Sequence, residues 1–165
     1  MLQPANRSEL TLAATWITSA QDCEFWAGGR VSFPINPASL PEEIGFCEAQ
    51  AYSVFDDDWR LVGFGRLIPK TSDRGHLATL IVCPSFRRQG YGAALVRDLI
   101  AIARQAKFGR VSLYVSEENV AAIALYTKLM FRNAPPPADD PKFLASRFME
   151  YSILEERGHA TDSKR

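Results

Sequence analysis

The sequence predicts an α/β chain: an α+β mixed sheet flanked by helices. Three observations predict it. The apolar spacing is helical before about residue 46 and alternates after it. The run "HLATLIVCP" is short, apolar and bounded by turn signals, as a central buried strand is. After it, helix-like and strand-like segments alternate up to "RFMEYSILE". A length of 165 residues suits one domain with a real core. We expect that domain over 1–155 and a frayed tail over 156–165.

Each element has its own local reason. In "NRSELTLAATWI", Leu10, Ala13, Ala14 and Ile17 share one helical face, and Asn6 or Ser8 can cap it. "TSAQDCEFWAGG" reads as a second short helix ended by Gly28 and Gly29. "VSFPINPASLPEEIG" is loop-like, with Pro34, Pro37 and Pro41 and room for one short helix. The segment 20–45 is therefore a wall or lid rather than a separate domain. Strands are expected near 46–56 and 59–69, around a turn at Asp56-Asp57-Asp58. Further strands are expected near 75–83, 110–116 and 146–154, in one sheet. Helices are expected at 91–107 and 119–129, with Leu95, Leu99, Ile102 and Leu125 facing the sheet. "NAPPPADDPK" reads as a loop.

Composition excludes several functions. Nineteen basic residues balance nineteen acidic ones, so the excess usual in a nucleic-acid binder is missing. No apolar run approaches the roughly 18 residues of a membrane span. "MLQPANRSEL" lacks the basic-then-apolar pattern of a signal peptide, so a cytoplasmic location is expected. Cys23, Cys47 and Cys83 are odd in number and fit neither a zinc site nor a disulfide framework. They read as buried, reduced thiols, and no metal is expected.

The informative stretch is "CPSFRRQGYGAALV", where a strand runs into a basic, glycine-rich loop and then a helix. The first amides of a helix lack internal partners, and its dipole adds positive charge there. Gly90 and Gly92 let backbone approach a ligand, and Arg87 and Arg88 add full charges. The combination suits a phosphate. It is not a Walker loop, since no GxxxxGK is present. Nor is it the dinucleotide fingerprint, because residue 95 is Leu rather than Gly. A solvated helix start remains open on this evidence alone.

Some thirty residues later comes "SLYVSEENVAAIALYTKLMF". The pair of segments resembles the GNAT superfamily of N-acetyltransferases. That family carries R/Q-x-x-G-x-G/A after its fourth strand, matched by Arg87, Gly90 and Gly92. After its fifth it carries N-x-x-A-x-x-L-Y-x-K-x-G-F, matched by Asn119, Ala122, Leu125, Tyr126, Lys128 and Phe131. Met130 stands where the family usually has glycine. The likeness covers roughly 76–132.

The resemblance implies a GNAT-like acyl-CoA N-acyltransferase fold, splayed between its fourth and fifth strands, with acetyl-CoA in the cleft. It implies that the backbones of Leu80, Ile81 and Val82 bond the pantetheine arm. The pyrophosphate falls to the loop Arg87, Arg88, Gln89, Gly90, Tyr91, Gly92 and Ala93, through the amides of 88–93. Asn119 sits near the pantetheine and also caps its helix. Tyr126 is the implied acid for the departing thiolate, the family placing its hydroxyl beside the sulfur.

Acetyl transfer to an amine also requires a neutral nucleophile. A lysine-like amine is neutral in only about one molecule in 2,500 at pH 7. A base, or a water chain, must take its proton. Members acting on ribosomal-protein N-termini carry glutamate five residues before the motif asparagine, and here that residue is Tyr114. His76, Glu117, Glu118, Glu150 and water remain as candidates. Trp26, Phe33 and Phe46 are candidate walls for the acceptor, and Asp139 and Asp140 candidate attractors of a cationic amine. The expected partner is a small-molecule or peptide amine, with no nucleic acid or membrane, and the protein a monomer or homodimer. Two other readings stay open: a non-catalytic coenzyme A binder, and a phosphate binder using the loop for another ligand. The Asn119–Tyr126 segment argues against the last.

Overall fold

The computed structural model describes residues 1–138 and 145–154. The expected tail over 156–165, and Asp139 and Asp140, lie outside the described residues. Seven strands form one sheet in the order β1-β2-β3-β4-β5-β7-β6. They are β1 (Leu2–Pro4), β2 (Ala51–Phe55), β3 (Leu61–Pro69), β4 (Arg74–Val82), β5 (Arg110–Ser116), β6 (Arg132–Asn133) and β7 (Ser146–Ser152). The helices are α1 (Arg7–Ala14), α2 (Ala20–Ala27), α3 (Leu40–Glu43), α4 (Tyr91–Gln105) and α5 (Val120–Lys128). Among the described residues no helix is long and apolar enough to cross a membrane.

Helix ends follow the local chemistry. Asn6 closes a capping box with Glu9 at the start of α1. Ser19 accepts from the Asp22 amide at the start of α2, and Gly28 ends that helix at φ 60°. Leu10, Ala13, Ala14 and Ile17 are all buried. They join Trp26, Leu40 and Phe64 in a core that ties the front segment onto the sheet. A second core lies under α4, where Leu95, Val96, Leu99 and Ile100 are buried against β3, β4 and β5. Each such side chain contributes about 2 kcal/mol by leaving water. Ile102 and Leu125 are only partly buried at the margin of that core.

Two strands were not foreseen. β1 pairs with β2 from Leu2↔Val54 to Pro4↔Tyr52, and β6 pairs with β7. With β1 counted, "HLATLIV" becomes the fourth strand, and it lies between β3 and β5. The strand expected from residue 46 starts only at Ala51, because Glu48–Gln50 first make a 3-10 turn. The thiols are corrected in part. Cys23 is buried, Cys83 half-buried and Cys47 exposed.

The sheet opens where the site lies. β4 and β5 run parallel but pair only at Arg74↔Arg110, Gly75↔Val111 and His76↔Ser112. Beyond those rungs they diverge. The β3–β4 register also shifts between Phe64 and Arg66. On β4 the shift falls at Thr79, whose φ is +50°. That left-handed geometry is an outlier for a β-branched residue and marks stored strain. Gly65 makes room opposite: a Cβ there would meet Leu80 Cδ2 at 2.6 Å.

Met130, the departure from the family motif, ends α5 at φ +70°. The Phe131 amide donates to the Tyr126 carbonyl across this turn at 3.0 Å. A left-handed L-residue costs about 1–2 kcal/mol, and glycine gives back about 0.5–1 through its freer unfolded chain. Met130 is exposed and buries little. Met130→Gly is therefore expected to stabilise the fold by about 0.5–1 kcal/mol. Urea midpoints check this, and a lower midpoint contradicts it.

Candidate active site

α4 begins at the end of the basic loop. Its N-cap is Gly90 at φ +91°, a conformation that suits glycine, and no side chain caps it. The first intrahelical bond is Ala94 N–H to the Gly90 carbonyl. The amides of Tyr91, Gly92 and Ala93 thus have no acceptor within the helix. Arg88 is also left-handed, at φ +63°. Arg87 Nε donates to the Val82 carbonyl at 3.2 Å, tying the loop to the end of β4.

A large cleft opens beside this loop. Leu80, Ile81, Val82, Arg87, Arg88, Gly90, Gly92, Ala93, Asn119 and Tyr126 all line it. Gln89 and Tyr91 do not. Gln89 Nε2 donates to the Ser85 carbonyl, and the Tyr91 ring packs edge-on against Phe86. Asn119 Oδ1 accepts from the Ala122 amide at 3.2 Å, so it caps α5 while facing the cleft. Tyr126 is 9% exposed, with its ring against Phe131. Burial pushes its phenol up to about 12.

A second cavity, of about 360 Å³, lies where β4 and β5 part. Arg66, Ile68, His76, Thr79, Tyr114 and Ser116 line it from the sheet, with Lys70 just past the end of β3. Residues 24–28, Arg30 and Ile44 close it from the front segment, which is a wall. The two cavities meet at Phe25 and Trp26, which line both. They also meet at consecutive residues of β4, Thr79 in one and Leu80 in the other. Trp26 Nε1 donates to the Thr79 carbonyl at 2.9 Å, fixing the strained peptide at this junction.

Of the base candidates read from the sequence, His76 alone lines the second cavity. Glu117 faces Arg147 at 3.8 Å, Glu118 accepts from Gln21, and Glu150 lies 3.4 Å from Arg110. Of the candidate walls, Trp26 lines both cavities, Phe33 is exposed and Phe46 packs into the front core. Sequence reasoning missed Glu24, Arg30, Arg66, Lys70 and Thr79. Only the alternation of Arg66 and Ile68 on β3, continued by Lys70 just past its end, could have signalled part of that set.

His76 Nδ1 lies 3.0 Å from Ser112 Oγ, and its ring is 5.6 Å from that of Tyr114. Burial first, then Lys70, Arg74 and Arg30, lower its pKa to about 3. The folded value is below the unfolded 6.5, so the unfolded chain binds the proton first. The stability this lends is intact above pH 6.5 and is lost as pH falls toward 3. Between pH 7 and pH 5 the loss amounts to about 2 kcal/mol. Urea unfolding of wild type and His76→Gln at both pH values should show that difference. Equal losses in the two proteins contradict it.

Comparison with known proteins agrees with this geometry. The family model described as "Acetyltransferase (GNAT) family" matches residues 15–131, and the chain belongs to that family. A curated relative, the uncharacterized N-acetyltransferase ycf52 of Porphyra purpurea, is 35% identical over 83 residues. The match takes in 48% of this chain and 44% of that protein, so the chain spans less than half of the relative's length. Rv2747 from Mycobacterium tuberculosis, solved in complex with CoA and NLQ, superposes with a TM-score of 0.68 at 20% identity. That match covers 93% of this chain and 99% of the other. A GNAT-family acetyltransferase from Staphylococcus aureus Mu50 superposes with a TM-score of 0.70 at 19% identity. It is matched over 93% of this chain and 98% of its own. At these identities the likeness is one of fold.

Proposed function

We propose that the chain is an acetyl-CoA-dependent N-acetyltransferase acting on a primary amine, of a small molecule or an exposed peptide, by direct attack. The observation that carries the reading is the joining of two cavities at one strained strand position. One cavity combines a phosphate-suited helix start, a diverging strand edge and the Tyr126 ring. The other is of small-molecule size and touches it at Trp26 and Thr79–Leu80. The CoA held by Rv2747 is consistent with the first being the acetyl-CoA cleft.

In this mechanism the amides of 88–93 and Arg87 and Arg88 hold the pyrophosphate, and the edge of β4 from Leu80 to Val82 holds the pantetheine arm. Asn119 fixes the start of α5 beside it. An amine in the second cavity attacks the thioester carbonyl, the C–N bond forms, and the C–S bond breaks. With a phenol near 12, Tyr126 lies about 3.5 units above a thiol of about 8.5. Complete transfer of its proton is uphill by about 5 kcal/mol. Its role is then to donate a hydrogen bond to the developing thiolate. The thiolate takes its proton in the end from the positively charged nitrogen that the attack creates. The amine's first proton leaves through water toward His76 or Glu24, which line its cavity. His76 is neutral at pH 7 and too weak a base to hold that proton alone.

That weakness favours a second reading, a coenzyme A binder without catalysis. Incubation with acetyl-CoA and a mixed panel of amines, following free thiol, separates the two. The enzyme reading expects thiol release that requires an amine. Tight binding of coenzyme A without amine-dependent release would leave the sensor reading.

A further inference from the structure

One residue at the junction of the two cavities carries two unmet costs. Thr79 holds φ at +50°, a geometry disfavoured for a β-branched side chain. It is 8% exposed, and its hydroxyl has no hydrogen-bond partner among the described residues. A hydroxyl buried unpaired gives up its bonds to water and gains none in return. Valine would fill the same space without that loss. Strain and an unsatisfied polar group at one residue mark a place where a site uses them.

The position shows the use. Thr79 lines the second cavity, and the next residue, Leu80, lines the CoA cleft. The Thr79 carbonyl is already taken by Trp26 Nε1, which fixes the peptide, and the hydroxyl is left over. Two other polar groups of the lining are engaged: His76 Nδ1 lies 3.0 Å from Ser112 Oγ, and Ser116 Oγ accepts from the Glu118 amide at 3.3 Å. Resting on the acetyltransferase reading, we propose that Thr79 is a catalytic residue whose hydroxyl oxygen accepts a hydrogen bond from the attacking amine. An attacking nitrogen must turn its lone pair to the thioester carbonyl while its hydrogens find acceptors elsewhere. No hydrogen bond holds the Thr79 hydroxyl in one rotamer, so it turns to meet the entering nitrogen. As the C–N bond forms, the nitrogen becomes positive and the hydrogen bond becomes charge-assisted. It is therefore stronger in the transition state than in the bound amine. Thr79 keeps its own proton throughout, and the amine's proton leaves through water.

The test follows thiol release from acetyl-CoA with free amino acids, a polyamine, an arylalkylamine and a peptide with a free N-terminus. On whichever amine wild type uses, Thr79→Val should lower turnover roughly 10- to 100-fold, the size of one hydrogen bond to a charged group. The loss should appear in kcat and kcat/KM alike. CoA affinity by calorimetry should hold, since Thr79 does not line the CoA cleft. Tm should stay level or rise, because the variant removes an unpaired buried hydroxyl. Thr79→Ser, which keeps the hydroxyl, should retain most of the turnover. Near-wild-type turnover in Thr79→Val, or an equal loss in Thr79→Ser, would overturn the proposal and leave the acetyltransferase reading in place. A loss accompanied by lower Tm or weaker CoA binding would overturn it too, by making the residue structural. No thiol release from wild type with any of these amines would remove the acetyltransferase reading itself, and this proposal with it.

Discussion

Gly92→Glu is expected to lose coenzyme A affinity by 100-fold or more while the protein stays folded. A Cβ at this position would meet Leu125 Cδ2 at 3.4 Å and Val82 Cγ2 at 3.7 Å, ordinary contact distances. The backbone there is not left-handed, so no strain is added. The harm falls on the ligand. A carboxylate at the second residue of α4 would occupy the mouth of the helix start and repel a pyrophosphate held by amides 91–93. A loss of 100-fold corresponds to about 2.7 kcal/mol, within reach of one buried like-charge contact. Calorimetry beside a melting curve checks both halves. Unchanged affinity would move the phosphates elsewhere, and loss of the fold would indicate tighter packing at Gly92 than these distances allow.

Tyr126→Phe should lower turnover roughly 10- to 1000-fold, the usual size for losing a positioned acid or donor. The ring stays against Phe131, and one hydroxyl is removed. Burial alone shifts the Tyr126 phenol, with no hydrogen bond contributing, so losing the hydroxyl should cost little stability and Tm should hold. CoA affinity should hold too, because the loop and strand edge supply most contacts. The loss should appear equally in kcat and kcat/KM, since the bond to sulfur strengthens only as charge develops there. Near-normal turnover with a lowered Tm would make the tyrosine structural. Near-normal turnover with a normal Tm would leave water as the donor.

These two positions were legible because their chemistry is local. Gly90, Gly92 and the paired arginines sit within six residues, and one helix start displays them together. Asn119 to Tyr126 spans two turns of a single helix. The central strand was legible from its short, mostly apolar run between turn signals. β1 was not, because three residues ending in Pro4 have no period to read; they become a strand by pairing with β2. β6 is two residues at the edge of a proline-rich stretch, and it exists only through β7. The acceptor wall was the least legible part. Arg30 lies 46 residues from His76, and only the fold of the front segment against the sheet brings them to one cavity. The φ of Thr79 leaves no trace in its own identity. It arises from the register shift opposite Gly65.

Acetyl transfer by this route requires that the thioester lie where the two cavities meet. A crystal structure of the protein with coenzyme A measures it directly. The pyrophosphate is expected on the amides of 88–93, and the sulfur within hydrogen-bond reach of the Tyr126 hydroxyl, facing Trp26 and Thr79. Coenzyme A bound with its sulfur away from Tyr126, or with its phosphates off the start of α4, would contradict it.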